Sequence, residues 1–380
     1  MDRVLAHLDR HGEELLSDVR RLVELESPTG EPARVDAVSA TVAEWWQALS
    51  AEQTAHPVEG IGHHRVLRWS GSAPASAPAL LVGHADTVHD VGMLDRNPLR
   101  LEDGRLWGPG TQDMKAGLVM ATWAVRTLDA LDIAPARPVT FLVTADEETG
   151  SATSAELIRA LAAESAHAFV LEASGPDGEL KTERKGVALY ELAVTGRAAH
   201  AGVDFGSGRS ALVALARLVG ETAALTDLDA DTTVNVGVMH GGTRANVVAE
   251  RARAQVDVRF REPEESERVG AALRVMATSA STDGLRVAVE GGVNRPAMRR
   301  SEAAARLVGE AGALAGTLGL ALGEIAVGGA SDGNLTAAAG CPTLDGLGAV
   351  GAGLHTAEEW IDVAALVPRT ALLAGLLART

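Results

Sequence analysis

Residues 80–90 read LLVGHADTVHD, a short apolar run that ends in His84, Ala85 and Asp86. An apolar run of this length bounded by polar residues predicts a buried strand, and its end is a rigid mount for a functional side chain. The His-x-Asp spacing lets one residue bind a metal while the other steadies it from behind. A single histidine near a strand end is more often a hydrogen-bonded loop residue, so its meaning depends on what the rest of the chain supplies.

Outward from that stretch, apolar strands alternate with helical patterns. On the N-terminal side, Val4, Leu8, Leu15, Val19, Leu22 and Val23 recur at three- and four-residue steps and predict one amphipathic helix over 2–26, broken by Ser27, Pro28, Thr29 and Gly30. A second helix is expected over 33–49, with Trp45 and Trp46 as packing residues, then strands near 51–58 and 64–69 and a surface loop over 71–79. On the C-terminal side, Asp103-Gly104 marks a hairpin, Gly108-Pro109-Gly110 a tight turn, and a helix is expected to start near Asp113. VTFLVTADEETGS (139–151) and AFVLEAS (168–174) read as buried strands ending in acids. This alternation predicts an α/β layered catalytic domain with a mostly parallel central sheet.

From about residue 186 the texture changes to strand–helix–strand–strand–helix–strand, the pattern of an α+β unit with a four-stranded sheet and two helices. After Pro296 the α/β texture returns. The expected domains are therefore 1–185 and 296–380 as two parts of a catalytic domain, and 186–295 as an inserted lid and dimerisation domain.

Composition narrows the partners. The 380 residues carry a formal charge of −17, which disfavours nucleic acid. A 46% hydrophobic and 22% charged content is that of a globular protein, and with aromatics at 3% the core must rest on Ala, Val and Leu. The one cysteine, Cys341, excludes an intrachain disulfide and fits a reducing cytoplasm. The N-terminus has no apolar signal region and no stretch approaches a membrane span, so a cytoplasmic protein without membrane association is expected.

His84 and Asp86, Asp113, Glu147 and Glu148, and Glu172 share one setting, a strand end or a glycine-rich turn; His355 in GAGLHTAEEW is a further candidate. Taken singly, each has an ordinary explanation: Asp113 as a helix N-cap, Glu147 and Glu148 as a solvated pair, Glu172 as a rim acid. Taken together, carboxylates at the ends of consecutive parallel strands converge on one crevice, and such a concentration of negative charge calls for a cation. Mixed histidine and carboxylate donors suit zinc, with cobalt or manganese also compatible.

Eight stretches carry a resemblance: GHADTV (83–88), GPGTQDMKAG (108–117), TADEETGS (144–151), LEAS (171–174), GRAAHAG (196–202), GGTRANVV (241–248), VGGASDGN (327–334) and GLHT (353–356). In this order they resemble the di-zinc aminoacylase and carboxypeptidase family, most closely its glutamate carboxypeptidase (carboxypeptidase G-like) branch. The resemblance implies two Zn2+ per subunit, with His84, Asp113, Glu148, Glu172 and His355 as metal ligands. Asp113 would bridge the metals, Asp86 would orient His84, and Glu147 would be the general base. Two such metals, roughly 3.5–4 Å apart, share a water and lower its pKa. His200 would supply the oxyanion donor, from the neighbouring subunit of a homodimer. Asn246, Arg259 and Arg295 would hold a free substrate carboxylate, although a structural salt bridge serves Arg259 nearly as well. Lys185 is an outside candidate; His63, His64, His89, His167 and His240 are assigned to surface or loop positions. The activity implied is hydrolysis of an amide bond that releases a C-terminal amino acid, glutamate first. The competing readings are an N-acyl-amino-acid deacylase of the acetylornithine or succinyl-diaminopimelate type, a two-metal phosphoesterase, and a non-catalytic homologue.

Overall fold

A computed structural model describes residues 1–282 and 284–380. The chain divides into two compact units: Met1–Glu183, Met298–Val327 and Ser331–Thr380 form one, Arg184–Ala297 and Gly328–Ala330 the other.

The first unit is built on a six-stranded sheet. Its spatial order is Glu52–Val58, Gly62–Trp69, Val139–Thr144, Ala79–His84, His167–Val170, Thr343–Leu344. The last four strands pair in parallel; the first two are a hairpin that adds antiparallel pairs at one edge. Both faces are covered, which is why the parallel strands read as continuous apolar runs instead of alternating ones. Leu81, Phe141 and Phe169 point into the larger core with Leu15, Trp46, Leu118 and Leu373. Their neighbours Leu80, Val82, Leu142 and Val170 point the other way, onto Ile158, Leu161 and Leu335. The architecture is the mixed α/β one expected from the sequence.

Two local readings change. The expected helix over 2–26 is two helices, Asp2–Arg10 and Gly12–Val23, because His11 leaves helical geometry at φ −110°, ψ 16°. Glycine at position 12 is a poor helix former, which suits the start of a new helix beside Val367 of the last one. The helix expected near Asp113 begins only at Ala116. Residues 111–115 form an irregular turn in which Asp113 (φ −120°, ψ 93°) and Met114 (φ −134°, ψ 37°) are non-helical. Asp113 is therefore not an N-cap.

The hairpin at Asp103-Gly104 is present: Arg100–Glu102 pairs with Arg105–Trp107, both turn residues at positive φ. Trp360–Asp362 pairs with the second of these strands and with Gly351–Ala352. This small sheet lays the 353–359 loop beside the Gly108–Asp113 turn, where Gly108 N–H donates to Glu359 O at 3.2 Å.

The second unit is an antiparallel sheet in the order Thr233–Gly241, Arg251–Phe260, Gly186–Thr195, Arg286–Arg295. Helices Ala211–Ala223 and Pro263–Ala280 cover one face through Leu215, Leu218, Val269 and Leu273, packed on Tyr190, Leu192 and Val194. Leu189, just before Tyr190, is exposed and Glu191 and Ala193 between the packed residues are half-buried, the period-two alternation of a strand with one covered face. Among the described residues no helix is long and apolar enough to cross a membrane.

Candidate metal centre

Parallel strands place their carboxyl ends side by side, and the candidate residues follow from that. His84 is the last residue of Ala79–His84. Glu147 and Glu148 form a short turn after Val139–Thr144, and Glu172 follows His167–Val170 by two residues. Asp113 arrives on the irregular turn and His355 on the tight 353–359 loop, where it adopts φ 61°, uncommon for a residue with a Cβ.

Two groups of donor atoms result, each with its atoms within 4.8 Å of one another: His84, Asp113 and Glu172, and Asp113, Glu148 and His355. Asp113 belongs to both. His84 Nε2 is 3.0 Å from Asp113 Oδ1 and 3.5 Å from Glu172 Oε1. His355 Nε2 is 3.1 Å from Asp113 Oδ2 and 3.5 Å from Glu148 Oε2. The two oxygens of one carboxylate thus face two histidines.

Asp86 is fully buried and does more than stand behind His84. Its Oδ1 is 3.5 Å from His84 Nδ1, while the closer partner of that nitrogen is the Asp86 main-chain oxygen at 2.9 Å. The Asp86 carboxylate also accepts from the main-chain N–H of Glu147 (3.3 Å) and Glu148 (3.2 Å), and from Thr29 Oγ1 (2.7 Å). One side chain therefore joins the His84 strand end to the turn that carries Glu147 and Glu148.

Electrostatics sharpen the picture. Burial, together with the Asp113 charge, pushes the Glu148 carboxyl up to about 10. Burial also opposes ionisation of Asp113, but hydrogen bonds from His355 and His84 hold it far below the usual carboxylate range. Burial disfavours the charged form of His84, yet its hydrogen bonds to Asp113, Asp86 and Glu172 raise it well above the usual value. His355 is raised by Asp113 in the same way. The protein alone can keep this many carboxylates together only by holding protons there. Among the described residues, the buried Glu148 Oε1 has no hydrogen-bond partner. An orphaned carboxylate oxygen, a carboxylate shared by two donor groups and imidazole nitrogens aimed at it fit a pair of divalent cations.

His200, Asn246, Arg259 and Arg295 lie in the second unit. His200 pairs with Val247 as an isolated bridge, and Ala201 N–H donates to Asn246 O at 3.0 Å, so His200 and Asn246 are neighbours on exposed loops. Arg259 makes a bidentate pair with Asp257 at 2.7 and 2.8 Å. Arg295 is buried, with 3% of its surface exposed. Both arginines sit opposite Val187, one on each flanking strand, so they share one row across the sheet. Lys185 is bound to Asp231.

The histidines assigned to the surface divide. His63 pairs with Asp36 and His240 is exposed, but His64, His89 and His167 are buried. His64 Nδ1 accepts from Ala145 N–H at 3.1 Å, and burial lowers its pKa. His89 Nε2 is 2.8 Å from the carboxylate of Glu359, which is itself fully buried. Glu359 was not singled out in the sequence, and Thr29 only as part of the break after the first helix. Glu359 sits beside Glu358 in a run of acids, and only the inward-facing register of the following strand distinguishes it.

Comparison with known proteins agrees with this geometry. The profile of Peptidase family M20/M25/M40 matches residues 80–379. Carboxypeptidase G2 of Pseudomonas sp. (strain RS-16) is 28% identical over 371 residues, covering 96% of this chain and 88% of that protein. Acetylornithine deacetylase of Myxococcus xanthus is 34% identical over 203 residues, about half of each chain (50% and 51%). The crystal structure of a tripeptidase from Staphylococcus aureus superposes with a TM-score of 0.81 at 25% identity, covering 97% of this chain and 99% of that one. From the strand-end cluster to the family profile the observations agree: the chain belongs to peptidase family M20/M25/M40 and is a hydrolytic enzyme of that family.

Proposed function

We propose that this enzyme hydrolyses an amide bond to release a C-terminal amino acid with a free carboxylate, glutamate being the leading candidate. The observation that carries the reading is the pair of donor groups that share Asp113. His84 and Glu172 would complete one cation site, Glu148 and His355 the other, with zinc the best match to the donors and cobalt or manganese as substitutes. Two divalent cations, when bound, supply charge neutralisation, carbonyl polarisation and a more acidic water.

The chain's own residues do the rest. Glu147 takes a proton from the attacking water and returns it to the leaving amine, which requires that it not be a strong ligand itself. Asp86 holds the Glu147–Glu148 turn through two main-chain N–H bonds and so aims the base. His200 donates to the oxyanion, in a homodimer from the partner subunit. Asn246, Arg259 and Arg295 hold the substrate carboxylate, a role that asks Arg259 to exchange its pairing with Asp257. Deacylation of an N-acyl amino acid is the second reading, supported by the identity to acetylornithine deacetylase.

The test is elemental analysis of purified protein, then turnover on acyl-glutamates, folate-like amides, dipeptides and acetylornithine, followed by mass spectrometry. The expected result is metal-dependent release of glutamate, abolished by chelation. In Glu147→Ala we expect turnover to fall about 10²–10⁴-fold with both metals retained. An unchanged rate in that variant removes the base assignment, and faster turnover of acetylornithine moves the enzyme to the second reading. Light scattering decides the dimer.

A further inference from the structure

The Gly110–Asp113 turn is not a helix, so its N–H groups have no ladder to join. Three of them converge on one buried side chain. Glu359 Oε1 accepts from Gln112 N–H at 2.8 Å and Asp113 N–H at 3.0 Å; Oε2 accepts from Gly110 N–H at 2.8 Å. The fourth partner is His89 Nε2, 2.8 Å from Oε2, which must be the donor because a carboxylate only accepts. The main-chain oxygen of Glu359 is also used, by Asn97 Nδ2 at 3.0 Å and Gly108 N–H at 3.2 Å. Glu359 is fully buried.

We infer that Glu359, with His89 behind it, is the positioning residue for the shared carboxylate of Asp113. The inference rests on the proposed two-cation site. Its reason is geometric. Asp113 has its main-chain N–H on Glu359 and its two carboxylate oxygens on His84 and His355. His355 lies four residues before Glu359 on a loop closed tightly at Gly353, where a Cβ would meet Glu358 O at 2.1 Å. One side chain therefore sets how far His355 stands from Asp113. His89 extends the same clamp to the loop that leaves His84. A carboxylate suits the task because each oxygen takes two donors; an amide has a single acceptor oxygen, and its NH2 would face at least one N–H group. Buried polar partners that orient ligands in this way are worth about 10–100-fold in metal affinity or activity.

The variant Glu359→Gln keeps shape and removes an acceptor. Full-length wild type and variant would be stripped of metal and titrated with Co2+, with visible absorption, bound cobalt and thermal unfolding recorded. We expect the folded variant to bind at least one of two Co2+ about 10–100-fold more weakly, with a changed cobalt spectrum and a fall in kcat that exceeds any change in KM. If Glu359→Gln does not fold, His89→Ala tests the same clamp from its other end. It should shift the cobalt spectrum in the same direction by less, and His89→Gln, which keeps a donor, should restore it. Wild-type affinity, spectrum and kcat in Glu359→Gln, or in both His89 variants, overturn the inference. A wild type that binds no pair of Co2+ ions instead sinks the two-cation reading, and this inference with it.

Discussion

At the scale of single residues the site is a set of carboxylates whose neighbours decide what each does. Asp113 stays ionised because two imidazoles face it, while Glu148, buried with no partner for one oxygen, holds a proton up to about pH 10 until something replaces it. Asp86 is the residue whose role grew most. It was expected to steady His84; it also accepts from Thr29 and from the main chain of Glu147 and Glu148. In Asp86→Asn one of these acceptors becomes a donor. We expect kcat to fall about 10–100-fold with weaker metal retention, and Thr29→Val, which removes one of the bonds, to cost about 1 kcal/mol. Metal content and turnover, with urea unfolding for the threonine variant, check both. A fully active Asp86→Asn would mean that the Glu147 turn holds itself.

At the scale of elements, close approach sets the position of Glu172. Helix Ala116–Ala130 runs against the strand end that carries it, and Gly117 is the contact. A Cβ at Gly117 would lie 2.2 Å from Leu171 O, a distance no real side chain tolerates, so the backbone just before Glu172 would have to move. Gly117→Ala is therefore expected to destabilise the protein by about 1–3 kcal/mol and to weaken metal binding, read by urea unfolding and elemental analysis. Unchanged stability would show that the helix has room to slide. On the far side of Glu172, its main-chain oxygen accepts from Gly348 N–H at 2.9 Å, and Arg369 of the last helix donates to Gly348, Gly346 and Gly178 oxygens at 2.6–2.7 Å. The C-terminal helix thus fixes the loops beside Glu172 from the opposite end of the sequence.

At the scale of the whole molecule, the cluster couples stability to pH. In metal-free protein Glu148 is raised from 4.5 to about 10, so the fold keeps a proton that the unfolded chain releases above 4.5; stability declines as pH rises through that window. His84, raised above 6.5, acts in the same sense: its contribution is complete below 6.5 and is lost as pH climbs through its raised value. Asp113, held low, contributes above 3.8 and is lost only at lower pH, so it has no slope near neutrality. Chelated protein should therefore unfold at a lower temperature at pH 8 than at pH 6. Added zinc should flatten or reverse that trend, because the cation replaces protons and binds more tightly as they leave. Thermal unfolding at both pH values, with chelator and with zinc, measures it; parallel curves under the two conditions would refute the coupling.

The sequence by itself determined the α/β class, the strand ends that bear His84, Glu147, Glu148 and Glu172, and the antiparallel unit beginning near residue 186. These are legible because they rest on local periodicity: apolar runs bounded by turns, and a two-residue alternation where one face is open. It did not determine the break at His11, the non-helical turn at Asp113, or the burial of His64, His89 and His167. The turn and the buried histidines depend on what lies across the fold: Glu359 against the 110–113 turn and His89, Ala145 against His64. Glu359 was invisible for the same reason. It meets the turn from 246 residues away, and a hydrogen bond over that separation leaves no period in the chain. Only the tertiary structure decides which of two adjacent acids, Glu358 or Glu359, faces inward to hold Asp113, because the choice belongs to the pairing of strands Arg105–Trp107 and Trp360–Asp362 and not to either residue's own neighbours.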